Sequence, residues 1–290
     1  MPRVARLSIA PVRALGLRHP ESIDVDACGV REDRRFYLVD EHNHIVDRLR
    51  AGRLVQIASE IDPDGTWLRL RFPDGRVVEG DVTVNEPIRT YLYGREAVGH
   101  VVGGPWAPAI GEFLGGRPVR LVRCDHPGGT RIRPGETEVR NGVSLVSDGS
   151  LRELARHLGV ESVDGRRFRM LIELEGAAPH EEDAWIGGRV AIGSAVLRIT
   201  RPDARCAITT QDPDTGERDL DTLRTILRYR GFRADDPGKK IDFGVLGDVD
   251  VPGRISLGDE LRLLGPVDEP AVADAVAAPG AVASAGRATT

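Results

Sequence analysis

Short alternating segments broken by turn residues constrain this chain more than any other feature. Val4–Ala10, Phe36–Val39, Trp67–Phe72, Pro118–Arg123, Val143–Ser147, Phe168–Glu175, Val190–Thr200, Cys206–Thr210, Phe243–Asp250 and Glu260–Leu264 all read as strands. Turn signals punctuate them, among them Pro73-Asp74-Gly75, Asp164-Gly165, Ile192-Gly193-Ser194 and Asp212-Pro213-Asp214-Thr215-Gly216. Helical spacing is found in only three places. Ala107–Leu114 is stopped by Gly115-Gly116. Ser150 with Glu153 forms a capping box ahead of Leu151, Leu154, Ala155 and Leu158, and Gly159 closes that helix. Leu220, Leu223, Ile226 and Leu227 make a third apolar face, ending at Gly231. With no βαβ alternation, a doubly wound parallel sheet is disfavoured. The expected fold class is mixed and mainly β: a barrel-like antiparallel architecture with a few flanking helices.

The 290 residues suffice for one or two domains with full cores, and 40% hydrophobic against 29% charged residues is ordinary for a globular protein. The Gly- and Pro-rich stretch Tyr91–Pro118 is the expected seam, giving units over 1–118 and 119–265. The tail 266–290, mostly Ala, Val, Pro and Gly, is expected to be disordered. No apolar run spans a bilayer and no secretory leader is apparent, so the expectation is a cytoplasmic protein without membrane partners. Three cysteines without a CxxC pair disfavour a disulfide framework or zinc site. A formal charge of −5 argues against nucleic-acid binding. The only lysines are Lys239 and Lys240, so an anion here must be held largely by guanidinium groups, whose fork suits phosphate and carboxylate.

The densest polar constellation is Arg201-Pro202-Asp203-Ala204-Arg205-Cys206-Ala207-Ile208-Thr209-Thr210. Cations beside Cys206 favour thiolate, the form needed for nucleophilic attack, persulfide chemistry or soft-metal ligation; a buried structural cysteine is the alternative. Weaker candidates surround it. His42 and His44, with Asp40 and Asp47, could ligate a metal but read more simply as a solvated turn. His126, followed by Pro127-Gly128-Gly129, could line a pocket or be a surface loop. Glu181-Glu182-Asp183 could supply an acid or base, or be a solvated face, although Trp185 beside it hints at an anchoring segment. Asp212 and Asp214 read as turn-formers, and Cys28 and Cys124 as packing residues.

Arg205-Cys206, Thr209-Thr210 and Asp212-Pro213-Asp214-Thr215-Gly216 closely resemble the signature of the MOSC family, proteins related to the C-terminal domain of molybdenum-cofactor sulfurase. Asp33-Arg34-Arg35-Phe36-Tyr37-Leu38-Val39-Asp40 resembles that family's N-terminal strand. Ser144–Leu158, Phe168-Arg169, Glu182-Asp183-Ala184-Trp185, Tyr229-Arg230 and Pro252–Asp259 follow in the family's order. The resemblance runs from about Ile9 to Leu264. It implies an N-terminal MOSC-associated β-barrel-like domain, a C-terminal MOSC β-barrel and a pocket between them.

Within the family, the chain is most similar to the amidoxime-reducing enzymes of mitochondria and their bacterial counterparts. That similarity implies a molybdenum cofactor (molybdopterin) ligated through Cys206, which reduces N-oxygenated small-molecule substrates. It also implies electrons supplied by an external electron-transfer protein. Carried over by position, Arg13, Arg34, Arg169, Arg205 and Thr210 would bind the cofactor, and Cys206, Arg205 and Thr209 would form the reacting site. The chain departs from the family pattern in three places. Ala14 stands where a serine hydroxyl is usual, Met170-Leu171 replaces Pro-Asn, and Asp203 adds a carboxylate before the cysteine. Each removes a donor or adds repulsion toward an anionic cofactor. The alternative therefore stays open: a molybdenum-free scaffold using Cys206 for sulfur transfer through a persulfide, or for lyase chemistry on a small anionic substrate.

Overall fold

The computed structural model describes residues 1–126, 142–234 and 237–265; the tail and Pro127-Gly128-Gly129 lie outside them. The first part of the chain forms β1 (Arg3–Leu7), β2 (Ser22–Val25), β3 (Phe36–Val39), β4 (Ala58–Ile61), β5 (Trp67–Arg71), β6 (Val77–Asp81), β7 (Thr83–Leu92), β8 (Arg95–Gly103), α1 (Trp106–Phe113) and β9 (Arg120–Cys124). The second part forms β10 (Val143–Ser147), α2 (Asp148–Leu158), β11 (Ile172–Glu175), β12 (Arg189–Ile192), β13 (Ala195–Ala204), α3 (Thr222–Arg230), β14 (Asp242–Val251), β15 (Gly253–Ser256) and β16 (Leu261–Leu264).

The largest sheet has seven strands in the order β1-β11-β10-β14-β13-β12-β16. Its two edges approach each other, since Val4 N donates to Asp259 O and Leu261 N to Pro2 O (2.9 and 2.8 Å), so the sheet curls as a barrel does. Inside it lie Val4, Leu7, Ile172, Leu174, Leu197 and Val245, all buried. A second core, built on Phe36, Leu38, Leu54, Leu68, Trp106 and Leu121, fills the N-terminal part. It lies among the sheets β3-β9-β8-β7 and β4-β5-β6 and helix α1. The mainly β architecture expected from the alternation is thus present. One pairing departs from it: β10 and β11 run parallel, joined by α2 as a single βαβ crossover. Among the described residues, four pairings cross the expected seam at 118/119. β1 joins the seven-stranded sheet through β11, β2 pairs with β15, and β9 pairs with β3 and β8.

Several local readings are corrected. The cap of α2 is Ser147, not Ser150; its side chain accepts from Ser150 N at 3.1 Å, and Gly159 ends the helix at φ 70°. Val190–Thr200 is not one strand but a β12–β13 hairpin turning at Gly193 (φ 57°). A Cβ at Gly193 would lie 2.3 Å from Arg254 O, so glycine is required there. Cys206–Thr210 is not a strand. Cys206 is extended, and Ala207–Thr210 form a 3₁₀ turn. The hydroxyls of Thr209 and Thr210 donate back to Cys206 O and Ala207 O (3.1 and 2.7 Å), which satisfies carbonyls that a ladder would otherwise use. The Gly/Pro-rich stretch conceals the long β7–β8 hairpin; Pro87 is tolerated in β7 because that strand is an edge.

Candidate functional site

The strand ends and turns of both halves converge on a cleft of about 390 Å³. Cys206 lies two residues past the end of β13 and lines this cleft with an exposed, free thiol. Around it stand Arg13, Arg34, Arg48, Arg167, Arg169 and Arg205. Cys206, Arg205 and Thr209 and the three more distant arginines, Arg13, Arg34 and Arg169, thus line one cleft.

The backbone here is unusual. Ala14, Arg34, Tyr93 and Arg169 line the cleft and all hold positive φ (75°, 56°, 50° and 52°). Such conformations cost on the order of 1 kcal/mol or more per non-glycine residue and cluster where function requires them. The strained residues also stitch the two halves together. Arg34 pairs with buried Asp33, whose other oxygen accepts from Ala10 N at 2.8 Å. Arg34 Nη2 donates to Arg169 O at 3.2 Å, and Arg169 Nη2 donates to Leu15 O at 2.8 Å.

Arg205 is a scaffold more than a hand held out to a ligand. Its guanidinium donates to Phe243 O (2.8 Å), Phe168 O (3.1 Å) and the Met170 sulfur, and it pairs with Asp203 at 2.9 Å. This neutralises the Asp203 carboxylate and fixes the backbone that presents Cys206. Thr209 is buried; it donates to Cys206 O and accepts from the Thr222 hydroxyl at 2.9 Å, so it steadies the cysteine turn. Thr210 is not in this cleft. It lines the adjacent hollow with Leu220, Leu223 and Arg224. Leu171 sits in the barrel core, and Ala14 faces the cleft without a hydroxyl.

Sequence reasoning missed Arg48, Leu49, Tyr93 and Arg167, and placed Asp47 with the histidine turn. The recurrence of Asp-Arg at Asp33-Arg34 and Asp47-Arg48 was the available signal. Asp47 is buried and caps its own turn, accepting from Leu49 N (3.0 Å), Arg50 N (3.4 Å) and the Tyr93 hydroxyl (2.8 Å). Arg167 lies bidentate on Asp219 (2.6 and 2.5 Å). Burial, then the Arg167 charge, pushes Arg48 down to about 10. Burial and the charges of Arg48 and Arg34 hold Arg169 well below the usual arginine range.

The weaker candidates fall elsewhere. His42 N and His44 N donate to Asp40 Oδ1 in a surface turn (3.0 and 2.9 Å). Asp212 is a turn-former, accepting from Asp214 N and Thr215 N (2.9 and 2.8 Å). Cys124 is buried, and burial pushes its thiol up to about 12. Among the described residues no group of three or more His, Cys, Asp or Glu could hold a metal ion, and no helix is long and apolar enough to cross a membrane.

The sequence matches the MOSC N-terminal beta barrel domain over residues 1–97 and the MOSC domain over residues 127–262. It is 28% identical over 288 residues to mitochondrial amidoxime-reducing component 1 of Homo sapiens, covering 90% of this chain and 83% of that protein. The Mus musculus protein of the same name is 27% identical over 282 residues, covering 90% and 82%. Molybdenum cofactor sulfurase of Anopheles gambiae is 28% identical over 262 residues, covering 80% of this chain but 33% of that longer protein. With both domain matches in order along one chain, and relatives that are enzyme components, this protein belongs to the MOSC family.

Proposed function

We propose that this protein is an oxidoreductase that binds a molybdopterin cofactor through Cys206 and reduces N-oxygenated small molecules. One observation carries this reading: an exposed thiol in a cleft whose arginines outnumber its carboxylates. Among the described residues, Asp47 is the one carboxylate residue lining that cleft. The donor set fits the group. A soft thiolate suits molybdenum, and guanidinium forks suit the phosphate of a pterin. Bound there, the cofactor would supply oxygen-atom transfer at a soft, redox-active metal.

The chain's own residues would do the rest. Cys206 would ligate the metal, as a soft sulfur donor with its thiol open to the cleft. Arg13, Arg34 and Arg169 would hold the anionic groups of the cofactor. Arg205, tied to two carbonyls and to Asp203, keeps Cys206 in register, with Thr209 bracing the turn behind it. Ala14 offers no hydroxyl, so guanidinium groups would carry the anion contacts on that wall. Thr210 faces the neighbouring hollow, so no cofactor contact is assigned to it. Electrons would come from a separate redox protein, and the substrate would be a small molecule entering the open side of the cleft.

Metal and pterin analysis tests this on protein made with molybdate in a host competent for the cofactor. The expected result is equimolar molybdenum and pterin, with amidoxime reduction driven by a chemical reductant. Cys206→Ala should lose the metal and reduce activity to background while unfolding at nearly the parent temperature. A wild-type protein without molybdenum or pterin would overturn the reading. The similarity to a cofactor sulfurase favours one alternative, in which the same thiol carries a persulfide. Mass spectrometry of Cys206 after exposure to a persulfide donor would detect it.

A further inference from the structure

The cleft arginines are not equivalent. Arg34 sits on Asp33, Arg167 on Asp219 and Arg205 on Asp203. Arg48 and Arg169 have no carboxylate within ion-pair distance among the described residues. The contrast is sharpest at Arg48, which is 1% exposed. Its guanidinium makes one long contact, Nη2 to Asp212 O at 3.4 Å, and its Nε is buried without a hydrogen-bond partner among the described residues. A guanidinium cannot shed its proton to escape such a site. A desolvated, unpaired charge is among the costliest features a fold can carry.

The surroundings show that Arg48 is held there by construction. Asp47 caps the turn on one side, and Ala51 N donates to Asp47 O at 2.9 Å. Gln211 Nε2 donates to Arg48 O at 2.8 Å on the other side. Gly52 packs so closely on Gly216 that a Cβ at Gly52 would lie 2.3 Å from Gly216 O, which clamps the turn against the 211–216 loop. The backbone of Arg48 is thus pinned from both halves of the chain, while its charged end is left with almost nothing. Arg169 lines the same cleft and also lacks an ion-pair partner.

We propose that Arg48, with Arg169, forms an anion subsite that takes a phosphoryl or carboxylate group of a molecule bound in the cleft. An anion here would remove the unpaired charge and occupy the orphaned Nε, so binding would relieve a cost already built into the fold. The chemistry has two sources, the phosphate of a cofactor or an anionic group on the substrate. The subsite does not depend on which reaction Cys206 performs.

The test uses the full chain purified from a host that makes no molybdopterin, with inorganic phosphate as probe and chloride at matched ionic strength as control. Wild type should gain thermal stability from phosphate in a saturable manner. Arg48→Met keeps the stem and deletes the charge. It should unfold at a higher temperature than wild type without phosphate, and bind phosphate at least about tenfold more weakly. Arg48→Lys should retain part of the phosphate response. If Arg48→Met unfolds at a lower temperature and responds to phosphate as wild type does, Arg48 is structural and the proposal fails. A wild-type response no larger than that to chloride overturns it as well.

The source is read on cofactor-loaded protein. Lost pterin in Arg48→Met assigns the subsite to the cofactor. Unchanged pterin, with a KM raised about tenfold for a carboxylate-bearing N-hydroxy substrate but not for a neutral one, assigns it to the substrate. No change in either quantity counts against the subsite. A protein devoid of metal and pterin would sink the oxidoreductase reading yet leave the phosphate measurements standing, so the two failures are separable.

Discussion

Glu182 and Arg48 are both charged residues sealed inside the protein, at 0% and 1% exposure, and they are treated in opposite ways. Glu182 accepts from Ser147 N at 3.3 Å and from the hydroxyls of Ser147 and Ser150 at 2.7 Å each. Its partners include the residue that caps α2, so it locks the start of that helix to the 3₁₀ turn carrying buried Trp185. Arg48 has one long contact and an orphaned nitrogen. A saturated buried charge defines the fold, whereas an unsaturated one marks a place where something else is meant to bind. The cysteines repeat the contrast: Cys124 is enclosed in a core and chemically inert, while Cys206 stands open in the cleft.

The largest effect expected from this comparison is at Glu182. Glu182→Ala strands two hydroxyls and a backbone N–H, each costing about 1–3 kcal/mol when left unpaired, and should cost about 3–5 kcal/mol in urea unfolding. Glu182→Gln, which keeps the shape and most of the bonding, should cost less. If Glu182→Ala costs less than about 1 kcal/mol, a typical surface change, the two environments are not energetically different and the comparison breaks.

A smaller effect is expected at His180, which lies beside the same helix. Burial first, then the Arg230 charge, pushes this imidazole down from 6.5 to about 4. The folded state therefore resists a proton that the unfolded chain accepts. Stability should be flat above pH 6.5 and fall as the pH drops from 6.5 toward 4. The full shift corresponds to about 3 kcal/mol, and partial exposure of the ring reduces the expected loss to about 1–2 kcal/mol. His180→Asn, which tolerates the left-handed backbone at this position (φ 59°), should remove that slope. Urea midpoints at pH 7 and pH 4.5 measure it. An unchanged slope in the variant would mean that another group titrates.

The β class of the fold was legible because alternation and turn residues act locally. Phe36–Val39 and Val143–Ser147 form strands with the expected ends. What local pattern could not show was pairing. Nothing in Val4–Leu7 says that β1 joins the second half's sheet, and β7–β8 lay hidden behind Pro87 and a run of exposed residues. At the site, Cys206, Arg13, Arg34, Arg169 and Arg205 could be named from the resemblance, but Arg48 and Arg167 could not. Nor could it be read that Arg167 already has a carboxylate, because Arg167–Asp219 spans 52 residues, or that Arg34 donates to the Arg169 carbonyl across 135. Glu182 was misjudged for a related reason. A run of three acids reads as a solvated face, and only the serines 32 and 35 residues away turn its middle member inward.

The smallest effect, at Asp214, tests whether counting arginines means anything. Arg166 neighbours the cleft residue Arg167 in sequence and lies bidentate on Asp214 at 2.8 and 2.9 Å. The Asp214 side chain is 67% exposed, and Arg166 keeps a second carboxylate, Asp164, at 2.6 Å. Good geometry in water is worth little, because solvent and salt screen the pair and both side chains lose entropy in making it. Asp214→Asn should cost no more than about 1 kcal/mol, and less at high salt. The phosphate response of the protein should be unchanged, since Arg166 does not line the cleft. A larger stability loss that persists in high salt would show that the rim ion pairs hold the cleft open. In that case the charge left bare at Arg48 would be a consequence of the rim's strength as well as of its own burial.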